Sequence, residues 1–568
     1  MYSVKKHKII FLLILVVEIV GILTGMGIAQ DKPHFFMPEL VAGTNGIVAA
    51  SGSLAPSIGL KVLMDGGNAV DAAVTTAAML TITEPMCSSI GGHGIMMLYL
   101  AETDEIKCLD WGGFLPHKFS IDQWGTPPTE PDPKSPQNSI FPGTLAGWVE
   151  ALDKYGTIDL AKALEPAIKY AEEGVPVRPL MANYIWNMAD QLKLFPEIAK
   201  IMMPGGSVPE ASDIIKFKDL ANTYRKIAKE GSDVFYKGEI GDKIVKYMNE
   251  NGSRFSKEEF ADYKPVWRDT ISTTYRDRYE IFVPKCQVFS PVILTMFNIW
   301  ENFDMRKLGF FTPEYIHLIA EANDVAISNR KYYGDPDFSE IPYEILNSKD
   351  YAKKVADRID MQRVSTERIG ETEELKEFNG TTTNIAVVDK DHNICIITQT
   401  IGDWFGSFHV VPGTGIVLNN EGTFYDLKPL NGPNYPEAGK KSEHQMGGAI
   451  VKKDGKIFMG VGSPCAFQIP LAISQVIERV IDFDLTIQEA MDASIIFHTG
   501  MGKIGMQPPT FEEGGIPGWE VREKLWEMGH EIIEFPWNTD VTGVFIHPES
   551  GMLEGGADHH GNSVTVSY

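Results

Sequence analysis

Asn379-Gly380-Thr381-Thr382-Thr383-Asn384-Ile385-Ala386-Val387-Val388-Asp389-Lys390 is the stretch on which the reading of this chain turns. Its apolar residues are mostly β-branched, and a polar turn, Asp389-Lys390-Asp391-His392-Asn393, separates them from a second run, Ile394 to Thr400. That pattern predicts a β-hairpin. Three threonines stand at its entrance. Strand propensity alone accounts for them, since threonine is itself β-branched. A chemical reading is also open: a threonine freed from the residue before it holds a hydroxyl nucleophile and an α-amine base in one residue.

Just upstream, Glu371, Glu373, Glu374 and Glu377 form an acidic, exposed tether, either a plain linker or an accessible cleavage site. Before it, helices are expected to dominate to about Lys353. Gly66-Gly67-Asn68 opens a helix that is small or apolar on every face through Leu80, as in a buried helix of a layered fold. Ser88-Ser89-Ile90-Gly91-Gly92-His93-Gly94 reads as a turn with close backbone approach, followed by a strand from Ile95 to Leu100. The proline-rich stretch from Gly112 to Gly143 predicts an extended surface loop. Leu145 to Tyr155 and Leu160 to Glu173 have helical periodicity.

Downstream of the hairpin, Ile416 to Leu418, Gly448 to Lys452 and Ile457 to Val461 read as strands, and Leu485 to Ile496 and Trp519 to Met528 as helices. Strands set between helical blocks predict an α+β fold, a sheet sandwich covered by helices.

The chain has 568 residues, 43% hydrophobic and 22% charged, which is globular composition. Against 51 basic residues stand 76 acidic ones, a net charge of -25 with no dense basic run past the first eight positions. This argues against nucleic acid as a partner. Lys5-Lys6-His7-Lys8, an apolar run from Ile9 to about Leu23, and Gly27-Ile28-Ala29 have the layout of a secretory signal over residues 1–29. Export to a periplasmic or extracellular space is the expectation. An uncleaved anchor is the alternative, and membrane association is expected only through this segment.

Cys87, Cys108, Cys286, Cys395 and Cys465 are few and odd in number, so they read as small buried residues, not as a disulfide framework. No CxxC or HExxH pattern is present, and neither a metal nor an organic cofactor is predicted. His559-His560 is read as part of a solvated C-terminal loop.

Several segments in order resemble the gamma-glutamyltranspeptidase family of N-terminal nucleophile hydrolases. They are Gly67-Asn68-Ala69-Val70-Asp71-Ala72-Ala73, Gly91-Gly92-His93-Gly94, Phe141-Pro142-Gly143-Thr144-Leu145-Ala146-Gly147, Thr382-Thr383 with Val387-Val388-Asp389-Lys390, Asn419-Asn420-Glu421, Gly462-Ser463-Pro464 and Gly556-Ala557-Asp558. The resemblance implies a four-layer αββα sandwich made as one precursor that cuts itself into a large subunit, 30–381, and a small catalytic subunit, 382–568. It implies Thr382 as the nucleophile, five residues before the Val-Val-Asp-Lys run, with Thr381 the alternative in a one-residue slip. It further implies that Thr400 hydrogen-bonds the nucleophile. The backbone of Cys465-Ala466 would form the oxyanion hole, where the family has Gly-Gly. Glu421, with Thr383, would contact the substrate.

The chain also departs from the family pattern. Gly112 stands where an arginine would hold the substrate carboxylate, and glycine cannot mimic a bidentate arginine contact. Phe424 replaces an acidic residue, His444-Gln445 replace two serines, and Gly402 replaces an asparagine. Tyr425, Asp426, His93 or His444 could rebuild a polar pocket. The expected function is hydrolysis of a small amide or gamma-glutamyl-type bond through an acyl-enzyme. A genuine glutathione hydrolase and an inactive binding paralogue are the alternatives.

Overall fold

Along the strand Gly46–Ser51, Ile47 and Ala49 point to one side and Val48 and Ala50 to the other, yet all four are fully buried. A strand buried on both faces needs a layer on each side. The computed structural model, which describes residues 40–365, 380–498, 502–507, 518–534 and 539–568, supplies both. The signal-like segment and the acidic tether lie outside the described residues.

One seven-stranded sheet runs Ser563–Ser567, Gly46–Ser51, Gly380–Asp389, Ile394–Asp403, His93–Leu100, Glu105–Asp110, Val266–Arg268. The other runs Val41–Gly43, Leu553–Ala557, Thr542–Ile546, Lys456–Gly462, Gly448–Lys453, Tyr279–Pro284, Thr270–Tyr275. Ile47, Ala49, Ala386, Val388, Ile394 and Ile396 of the first sheet meet Ile450, Val544, Ile546 and Leu553 of the second in one core. On its far side, the first sheet packs Val48, Ile385, Val387 and Ile397 against the helices Leu54–Met64 and Ala69–Thr83. The second sheet is covered by Val292–Trp300, Pro313–Ser328 and Gln468–Asp482. The order of layers is therefore helix, sheet, sheet, helix: the α+β four-layer αββα sandwich.

Local chemistry sets the helix nearest the hairpin. Asn68 accepts from the Val70 and Asp71 N–H groups, and Asp71 returns a bond to the Asn68 N–H. Such a capping box is worth about 1 kcal/mol. The carboxylate of Asp389 then accepts from Ala69 N at 2.9 Å while also gathering the N–H groups of Asp391 and Asn393 at 3.0 Å. One side chain thus fastens the hairpin turn to the N-terminus of the buried helix.

Helices dominate up to Lys353 as expected, with Thr270–Tyr275 and Tyr279–Pro284 set among them as the edge of the second sheet. Two expectations change. The stretch from Gly112 to Gly143 is irregular but only partly surface, since Leu115, Trp124 and Ile140 close on Tyr425 in a small core of their own. The helix expected over Leu485 to Ile496 covers Ile487–Asp492 only, and Ile496–His498 is a strand. Among the described residues, no helix is long and apolar enough to cross a membrane.

Candidate active site

Where Gly380–Asp389 pairs with Ile394–Asp403, Thr381 lies opposite Gly402 but Thr382 lies opposite Thr400. The register slips between Thr381 and Thr382 and skips Ile401, so the extra residue of the bulge lies on the Ile394–Asp403 strand, opposite that peptide bond. Thr400 Oγ1 donates to the carbonyl oxygen of Thr381 at 2.5 Å and accepts from Gly402 N at 2.8 Å. In the uncut chain the second threonine therefore holds the carbonyl ahead of Thr382.

Side-chain alternation assigns the remaining threonines. Thr382 shares its face with Ala386 and Val388, toward the space between the sheets, whereas Thr383 shares its face with Ile385 and Val387, toward the helices. Thr382 accordingly lines a small pocket, and Thr383 does not. Thr383 Oγ1 instead donates to Gln399 O at 3.3 Å, which removes it from the substrate-contacting residues. On the helix-facing side, Cys87 Sγ lies 2.6 Å from Thr381 Oγ1. Burial, reinforced by Glu84, raises the pKa of the Cys87 thiol well above its ordinary value, so it remains protonated.

The pocket has a polar wall of Thr382, Thr400, Glu421, His444 and Gln445 and an apolar one of Phe424, Met446 and Ile469. Ala466 also reaches it. Cys465 and Ala466 take φ values of +88° and +49°. These are glycine-like conformations that cost other residues about 1–2 kcal/mol each, so the turn keeps its shape without the glycines. The helix Gln468–Asp482 begins directly after it. Burial raises the Cys465 thiol's pKa as well, which argues against Cys465 as a nucleophile. Cys87, Cys108, Cys286 and Cys395 are buried and Cys465 partly so, and none of the five is in a disulfide.

His93 sits in register with Thr400, and its Nε2 lies 3.1 Å from Glu421 Oε1, both side chains being buried. Its ring meets that of His444 edge-on at 5.1 Å. His444 Nε2 in turn lies 3.3 Å from Gln287 Nε2, which donates to Asp110 Oδ1 at 2.7 Å. Asp110 also accepts from Gly112 N at 2.7 Å and from Lys441 Nζ at 2.5 Å. Burial alone would raise the Asp110 carboxyl, but Lys441, Gln287 and the Gly112 N–H together hold it well below the usual carboxylate range. Burial, with His93 adding to it, pushes the His444 pKa well below the ordinary histidine value.

Gln287 is the residue that sequence reasoning missed. A Cβ at Gly112 would lie 2.2 Å from Gln287 Nε2, so this amide occupies the room beside Gly112. Similarly, Gly402 has φ +96° and a Cβ there would lie 2.1 Å from Asn420 Oδ1. Of the four residues offered for a rebuilt pocket, His444 lines it and His93 touches its wall through Glu421. Tyr425 and Asp426 do not: Tyr425 is buried and donates to Lys440 O, and Asp426 pairs with Arg330. At the C-terminus, His559 is partly exposed beside Asp492, whereas the His560 side chain is buried against Asp558, so the solvated-loop reading holds for the first only.

The gamma-glutamyltranspeptidase family model matches residues 55–568. The glutathione hydrolase proenzyme of Escherichia coli (strain K12) is 34% identical over 488 residues, 83% of each chain. The acylase ACY 1 proenzyme of Pseudomonas sp. (strain SE83) is 31% identical over 535 residues, 91% of this chain and 92% of its own. The cephalosporin acylase of Bacillus halodurans superposes with a TM-score of 0.86 at 28% identity, covering 96% of this chain and 99% of its own. With that match running through both sheets and the Thr382 pocket, the chain belongs to the gamma-glutamyltranspeptidase family, as a hydrolase and acyltransferase of the N-terminal nucleophile fold.

Proposed function

We propose that this chain is an autoprocessing amidohydrolase that cuts itself between Thr381 and Thr382 and then uses Thr382 as its nucleophile. In the first reaction the Thr382 hydroxyl attacks the Thr381 carbonyl carbon and the peptide nitrogen leaves as the Thr382 α-amine. The ester so formed is hydrolysed by water, which releases the Thr381 carboxylate. The single observation that carries this reading is the Thr400 hydroxyl on the Thr381 carbonyl oxygen, the atom on which negative charge develops. The bulge opposite the same bond supports it, because bulges re-aim backbone next to active sites.

In the mature protein the same hydroxyl attacks a substrate amide while the α-amine takes its proton and passes it to the leaving amine. The N–H groups of Cys465 and Ala466 serve the oxyanion, and water frees the acyl group. Residues 30–381 form the large subunit and 382–568 the small one, with residues 1–29 as an export signal. The preferred substrate is a small N-acyl compound, because Gln287 and Gly112 stand where a carboxylate-holding arginine would be needed. A gamma-glutamyl substrate is the second reading, favoured by the name of the Escherichia coli relative.

Intact mass and N-terminal sequencing of the purified protein test the cut. A small fragment beginning at Thr382, absent from Thr382→Ala, is the expected result. A Thr382→Ala chain that still splits at that bond refutes the assignment.

A further inference from the structure

The polar wall beside Thr382 is unusual in what it leaves unpaired. Glu421 Oε2 and His444 Nδ1 are buried with no hydrogen-bond partner in the protein. Buried polar atoms are nearly always satisfied, so two such atoms on one small pocket point to a polar ligand. The wall contains no lysine or arginine. The cations behind it are already committed: Lys441 and Arg268 to Asp110, and Arg330 to Glu443 and Asp426. The only charged side chain on the wall is the carboxylate of Glu421.

From this wall we infer that the pocket accepts acyl groups that are polar yet carry no carboxylate, with Glu421, His444 and Gln445 as the residues that select them. An acyl carboxylate would meet Glu421 in a small buried pocket whose lining holds no lysine or arginine to offset it. His444 is in no position to replace that cation, since its pKa lies well below the ordinary histidine value, through burial and the nearby His93. A neutral imidazole and an amide offer hydrogen bonds to hydroxyl, amine or amide groups instead. Gln287 closes the remaining route, because its amide fills the room beside Gly112 and braces His444 from behind.

This inference rests on Thr382 as the amide-cleaving nucleophile, and the test separates the two. Four 4-nitroanilides of matched chain length are compared on the processed protein: butanoyl, 4-aminobutanoyl, glutaryl and gamma-glutamyl. The expected kcat/KM for 4-aminobutanoyl exceeds those for glutaryl and gamma-glutamyl by at least about tenfold. Glutaryl or gamma-glutamyl cleaved as fast as 4-aminobutanoyl, or faster, overturns the inference and leaves the nucleophile standing. Failure to cleave any of the four overturns the Thr382 reading and the inference with it. Glu421→Gln supplies a second measure: the ratio of 4-aminobutanoyl to glutaryl cleavage should fall about tenfold, whereas a merely structural role would lower both rates alike and count against the proposal.

Discussion

Thr400 donates its hydroxyl proton to the carbonyl oxygen of Thr381 across a register slip that falls on the very bond between Thr381 and Thr382. A donor aimed at an oxygen that gains charge accelerates attack on its carbon. Removing one such donor typically costs about 10²–10³ in rate. Thr400→Val should therefore slow self-cleavage by about 10²-fold, while Thr400→Ser, which keeps the donor, stays close to the parent. A time course of intact mass after expression reads both.

Cys87 holds the Thr381 side chain on the opposite face of the strand. A single hydrogen bond of this kind is worth about 1 kcal/mol, or roughly fivefold in rate. Cys87→Ala should slow processing by about that factor and Cys87→Ser should restore most of it. Equal rates for all three forms would mean that the thiol takes no part in presenting the bond.

Gly112 and Gln287 compete for the same space, at 2.2 Å. Gly112→Ala should lower stability by about 1–3 kcal/mol, the usual cost of overpacking. Adding Gln287→Ala should recover much of that loss, a coupling that a double-mutant cycle in chemical denaturation will read as strongly non-additive.

Asp540 accepts from the Asn562 and Ser563 N–H groups, and burial, with Glu84 nearby, pushes its pKa from 3.8 up to about 7. The folded chain thus keeps a proton that the unfolded chain has already shed. The associated stability is fully present below about pH 4 and is lost as pH rises through about 7. Asp540→Asn cannot ionise, so its melting temperature relative to the parent should climb by a few degrees between pH 4 and pH 8. Calorimetry across that range checks the sign.

The hairpin, the buried helix after Asn68 and the helices Thr144–Tyr155 and Leu160–Glu173 were legible because their periodicity is local. Thr383 could have been set aside on the same grounds, since period two already places it with Ile385 and Val387. The edge strands Thr270–Tyr275 and Tyr279–Pro284 carried a signal too, in the β-branched run Thr270-Ile271-Ser272-Thr273-Thr274. The replacement at Gly112 was visible, but its occupant was not: Gln287 is 177 residues from Asp110 and reaches it only through the stacking of the two sheets. The pairing of His93 with Glu421 likewise sets a strand residue against the short 3-10 turn Glu421–Phe424, far along the chain.

Gly46–Ser51 is zipped to Ser563–Ser567 along one edge and to Gly380–Asp389 along the other. A nick ahead of position 382 would therefore yield two polypeptides that are woven together, each supplying neighbours to the other's backbone. Prising them apart would mean melting the whole body, so dilution of the folded pair should not separate it, and its thermal transition should stay single and move to higher temperature as concentration rises.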